Sequence, residues 1–137
     1  PADFSAVIFD VLFEKALAGG AAFTVEGEYK DMEADLVAAP LTDPSCFCLV
    51  DGDAYFVTVA YLFGPAVGPG QFQPYVRYNS NEPTSGADSD LIELGLNYVI
   101  DGHNLRLNLN YTDGDANLTG NPGPDSNAVT VGVQFQI

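Results

Sequence analysis

Residues 92–111 read IELGLNYVIDGHNLRLNLNY, two alternating runs joined through Asp101 and Gly102. Ile92, Leu94, Leu96 and Tyr98 recur at every second position before the turn, and Leu105, Leu107, Leu109 and Tyr111 do so after it. A period of two places each set on one face of a strand, and helical periodicity is absent. A two-residue Asp-Gly loop of type I′ makes Ile100 and His103 its flanking pair. Counting outward then pairs Tyr98 with Leu105, Leu96 with Leu107, Leu94 with Leu109 and Ile92 with Tyr111. The same register sets Asn97 against Arg106, Gly95 against Asn108 and Glu93 against Asn110, so one face is apolar and the other wet.

Alternation continues along the chain and predicts strands at about 4–16, 21–34, 53–64, 70–81, 90–100, 103–113 and 127–137. The apolar rows from Phe23 to Tyr29, Tyr55 to Tyr61, Phe72 to Tyr78 and Val129 to Phe135 carry no charge, and most begin and end on an aromatic ring. Connections are expected to be short at Ala18-Gly19-Gly20, at Gly64 to Gly70 and at Asp101-Gly102, and longer at 35–52, 82–89 and 114–126. With short turns at one end, Phe13, Phe23, Phe63, Phe72, Tyr98 and Phe135 gather near it, while Tyr29, Tyr55, Tyr78 and Tyr111 gather at the other. Amphipathic rings sit best at a membrane interface, so an apolar band with two aromatic rims predicts the wall of an antiparallel up-and-down transmembrane β-barrel. A soluble sandwich also alternates, but nothing in its physics sorts aromatics by end.

Composition agrees. The chain of 137 residues is 47% apolar, yet it has no run of about eighteen apolar residues, so a membrane helix is excluded while a strand-built wall is not. Its mean hydropathy is near zero, as expected where inward polar residues interleave with lipid-facing ones. With 19 acidic against 4 basic residues and a formal charge of −15, nucleic acid is a poor partner. The chain starts at Pro1 without Met or a signal pattern, which reads as a processed or partial chain. Lipid forbids unpaired edges, so seven strands are expected to be the C-terminal segment of one larger barrel domain.

The segments Gly70-Gln71-Phe72-Gln73-Pro74-Tyr75-Val76-Arg77-Tyr78, Leu94-Gly95-Leu96-Asn97-Tyr98 and Gly102-His103-Asn104-Leu105-Arg106-Leu107 resemble the phosphate-selective porin O/P family of bacterial outer membranes. The last strand, Val129 to Ile137, looks like that family's closing strand. The resemblance covers roughly 53–137 and implies a barrel of roughly sixteen strands, a homotrimer, and a water-filled channel without cofactor or turnover chemistry. Two departures weigh against phosphate selection and against the usual terminus: inward Arg and Lys are few, and the chain ends in Ile137 instead of Phe.

Alternation assigns Asp10, Glu14, Glu26, Glu28, Lys30, Arg77, Glu93, Asn97, Arg106, Asn108 and Asn110 to the lumen. Five acids against three bases predict a wall that favours cations or selects weakly. The stretch 35–52 carries Leu41, Phe47 and Leu49 among other apolar residues, too many for a loop standing in water, and inward Ile8, Leu12, Phe56, Ala60 and Leu62 are apolar as well. A constriction loop folded into the lumen buries both surfaces; packing on a neighbouring protomer or partner is the other reading. Cys46 and Cys48 are two thiols or a strained local bridge.

Most other acids crowd the long-loop end. Asp113 and Asp115 have calcium-ligand chemistry without the spacing of an EF-hand loop, and a lipopolysaccharide-bridging acidic surface is the broader expectation. His103 belongs to a tight turn, and no nucleophile or phosphate-loop motif is present, so an enzyme is not expected. The leading reading is a bacterial outer-membrane porin for passive diffusion of small hydrophilic solutes or ions. The rival is a surface β-sandwich for adhesion or carbohydrate binding with acidic calcium-binding loops.

Overall fold

The computed structural model describes residues 4–34, 51–84, 86–102, 104–115 and 124–136. Seven strands form one antiparallel sheet in chain order: β1 (Phe4–Ala16), β2 (Ala22–Ala34), β3 (Gly52–Leu62), β4 (Gln71–Pro83), β5 (Ser89–Asp101), β6 (Leu105–Asp115) and β7 (Asp125–Phe135). Their bounds match the expected ones to within about two residues. A single 3-10 turn at Ala18–Gly20 links β1 to β2, and no α-helix occurs among the described residues. Every neighbouring pair is a hairpin, and β1 and β7 form the two edges of an open sheet.

Among the described residues no second layer packs on this sheet. Ala21 is the sole buried apolar residue among them, whereas Val57, Leu94 and Leu109, on strands flanked on both sides, are 45%, 50% and 49% exposed. A sandwich needs two sheets about 10 Å apart over a dry core, which the described residues do not form. An exposed apolar face of this extent belongs against lipid.

The faces follow the alternation, but the register of the β5–β6 hairpin differs from expectation. Tyr98 stands opposite Leu107, Leu96 opposite Leu109 and Leu94 opposite Tyr111; Asn97 faces Asn108 and Gly95 faces Asn110. Every partner is displaced by two positions. The turn closes between Asp101 and Asn104, whose amide donates to the Asp101 carbonyl at 2.7 Å, instead of between Ile100 and His103. Gly102 takes a positive φ of 51° there, and Asn104 Nδ2 donates to Asp101 Oδ2 at 3.2 Å. Moving the turn by one residue on each side shifts each partner by two, which preserves the faces.

Connection lengths also depart from a strict short–long alternation, because residues 63–70 between β3 and β4 outnumber residues 84–88 between β4 and β5. Pro74 explains why the β3–β4 ladder stops short of the end of β3. Its ring nitrogen has no hydrogen to donate, and the β3–β4 ladder ends at Ala60 opposite Tyr75. The chain then closes through Phe63 N to Phe72 O at 2.9 Å and Val67 N to Gly70 O at 2.8 Å. Gln71 Nε2 donates to the carbonyls of Phe63 at 3.0 Å and Gly64 at 2.8 Å, satisfying turn acceptors that no ladder reaches. Gln71→Ala should therefore lower stability by about 1 to 2 kcal/mol in urea unfolding from detergent micelles. A change within error would show that water satisfies those carbonyls equally well.

Candidate functional site

The two aromatic rims are present on the outer face. Near the short turns, Phe72 and Tyr98 stack with centroids 4.9 Å apart and Tyr61 meets Phe63 edge-on at 5.2 Å; near the long connections, Tyr55 and Tyr78 are 6.1 Å apart. Beyond the second rim lies a row of acids in the strand ends, where Asp53 stands opposite Asp31 on one side and Glu82 on the other. Tyr29 donates its hydroxyl to Asp53 at 2.5 Å, and Tyr78 donates to Asp90 at 2.7 Å. The rim thus passes from apolar ring to phenol to carboxylate over a single turn of the pleat. Several of these acids lie in strands, although the sequence suggested loops. Asp115 accepts from the Asp90 amide at 2.8 Å and Asp113 faces Asn127. Among the described residues no group of three or more metal-type ligands converges.

The inner face is a hollow of about 740 Å³. Of the residues assigned to it by alternation, Glu14, Glu26, Arg77, Glu93, Asn97, Arg106, Asn108 and Asn110 line it. Asp10, Glu28 and Lys30 share the face but lie further toward the long-connection end, with Asp10 opposite Glu28 and Ile8 opposite Lys30. Glu28 and Lys30 form an ion pair at 2.6 Å, the only one among the described residues. Leu41, Phe47, Leu49, Cys46, Cys48 and His103 lie outside the described residues, and so does the body of the expected constriction loop.

Three residues that the sequence reading passed over are central to the hollow. Tyr75, Gln73 and Thr58 line it together with the predicted set. Gly95 lies opposite Tyr75, and a Cβ there would come within 2.0 Å of the ring, so the phenol lies flat across the β5 backbone in the space a side chain would fill. Its hydroxyl donates to Glu93 Oε1 at 2.5 Å. Asn110 Nδ2 donates to the same oxygen at 2.8 Å, Asn108 Nδ2 to Asn97 Oδ1 at 2.8 Å, and Asn97 Nδ2 to Gln73 Oε1 at 3.1 Å. Amides, which both donate and accept, can extend such a chain without charge. Asn97 is only 7% exposed as a result, so this polar face is structured and not merely hydrated. The same alternation that marks Arg77 as inward would have found Tyr75, but its seat over Gly95 depends on register.

Arg77 Nε donates to Thr58 Oγ1 at 2.8 Å and its guanidinium lies 5.5 Å from the Phe56 ring centroid. Arg106 donates to Gln134. The arrangement presents fixed charges and amides along one face of the sheet. An outward apolar face between aromatic rims and an inward polar one define a wall of a transmembrane β-barrel.

A family model described as Gram-negative porin matches residues 11–137, and the chain belongs to that family. Neither a curated protein nor a solved structure matches it. The family places it in the bacterial outer membrane as a channel-forming porin, a class of channels and not of enzymes.

Proposed function

We propose that this chain supplies part of the wall of a water-filled pore through which small hydrophilic solutes and ions diffuse passively. The observation that carries the reading is the division of a single sheet into an uncharged outer band and a polar inner hollow, on residues that the porin family covers. The pore-lining set is Asp10, Glu14, Glu26, Glu28, Lys30, Arg77, Glu93, Asn97, Arg106, Asn108 and Asn110, enlarged by Tyr75, Gln73 and Thr58. Closure requires strands beyond β1 and β7, since unpaired edges cannot face lipid. Residues 1–137 are proposed as the C-terminal segment of a barrel of roughly sixteen strands that associates as a homotrimer, as the O/P resemblance implies. Outer-membrane lipid covers the outer band, and lipopolysaccharide meets the acidic row beyond the tyrosines.

Selection for phosphate is not proposed. Of the four basic residues, Lys15 faces Phe23 on the outer face and Lys30 is paired with Glu28, which leaves Arg77 and Arg106 against a majority of acids. Planar bilayers holding the full-length channel across a potassium chloride gradient should therefore give a reversal potential on the cation-selective side. Exchange of chloride for phosphate should not raise anion current. A marked anion preference would mean that strands outside this chain carry the filter. Conductance steps in the same bilayers, with liposome swelling in small sugars, test the channel itself.

A further inference from the structure

We infer that Glu93 is the fixed anion that sets the cation preference of this wall, and that Tyr75 and Asn110 are positioning residues that hold it apart from Arg77. The inference rests on the channel reading above. Arg77 and Glu93 stand directly opposite each other across β4 and β5, where cross-strand neighbours of opposite charge ordinarily close into a pair. They form no ion pair here. Thr58 and the Phe56 ring draw the guanidinium toward β3. Tyr75 and Asn110 draw the carboxylate the other way, both donating to Glu93 Oε1.

The tyrosine has little freedom to release its partner. Its ring occupies the space over Gly95, and Asn108 Nδ2 donates to its hydroxyl oxygen at 3.3 Å. The other inward acids are held less firmly. Glu28 is compensated by Lys30, while Glu26, on β2 with a strand on either side, is exposed. A mobile, hydrated charge is screened within about a Debye length, roughly 10 Å at moderate salt, whereas a charge fixed in a partly dehydrated wall acts on each passing ion. Equal formal charges at positions 26 and 93 therefore have unequal effects on selectivity.

Reversal potentials of the full-length channel in a potassium chloride gradient test this. Glu93→Gln keeps the shape and an acceptor for Tyr75, and should lower the potassium-to-chloride permeability ratio roughly two- to fourfold. Glu26→Gln removes the same formal charge and should move the ratio less than half as far. Tyr75→Phe keeps the ring over Gly95 but frees the carboxylate to meet Arg77, so it should lower the ratio as well. In a Glu93→Gln background Tyr75→Phe should do nothing more, because the tyrosine acts through that carboxylate. Equal effects of Glu93→Gln and Glu26→Gln in a conducting channel would overturn the assignment alone, as would a Tyr75→Phe shift that persists without Glu93. A wild-type protein that conducts no ions would overturn the channel reading and this inference with it.

Discussion

Arginine at Leu96 or Leu109 should cost about 2 to 4 kcal/mol of folding free energy in a bilayer, while arginine at Thr112 should stay within about 0.5 kcal/mol. Leu96 and Leu109 face each other at the centre of the outer band, and both are exposed to whatever surrounds the sheet. In water an exposed leucine exchanged for arginine is nearly neutral; in hydrocarbon the guanidinium must be dehydrated or must distort the bilayer. Thr112 lies on the inner face opposite Glu93, where arginine keeps its water and gains an acid nearby. Asn97 is not a fair control, since it is buried and donates to Gln73. Urea titration of the full chain from lipid vesicles gives these differences directly. Equal costs on the two faces would leave the outer band without lipid and remove the physical basis for a membrane wall.

Gly95→Val should destabilise by about 1 to 3 kcal/mol through overpacking, and most of that loss should disappear when Tyr75 is also changed to Ala. The first branch atom at position 95 already meets the phenol at 2.0 Å, and the ring cannot slide aside without surrendering its bonds to Glu93 and Asn108. Tyr75→Ala alone costs stability because it opens the inner face and strands the Asn110–Glu93 pair. The coupling between the two sites is the informative quantity, expected at about 1 kcal/mol or more since the residues are in contact. Strictly additive losses would mean that the ring does not sit over the glycine in solution.

Both expectations depend on facts of different origin. The choice of Leu96 and Leu109 needs only parity, which residues 92–111 display on their own. The choice of Gly95 and Tyr75 needs to know which residue lies across from which. The Asp101–Gly102 turn suggested Gly95 against Asn108, whereas closure between Asp101 and Asn104 sets Gly95 between Tyr75 and Asn110. Pro74 cannot donate to a ladder, but the sequence does not say which neighbour loses the bond; the end of the β3–β4 ladder at Ala60 settles that.

The sequence by itself determined the two faces, the aromatic rims and the acidic excess, because each is a property of a single strand with a side-chain period of two, and no neighbour can alter it. Membership of the inner face was legible for the same reason, down to Glu93, Asn97 and Arg106. Only the tertiary structure decided which inner charges cancel and which persist. Glu28 and Lys30 stand two apart on β2 and meet whatever the register, but whether Glu93 meets Arg77 depends on side-chain geometry and on hydrogen bonds from β3, β4 and β6 at once. A two-residue shift leaves every side chain on its own face yet exchanges every partner, so parity survives an error in register while electrostatics does not.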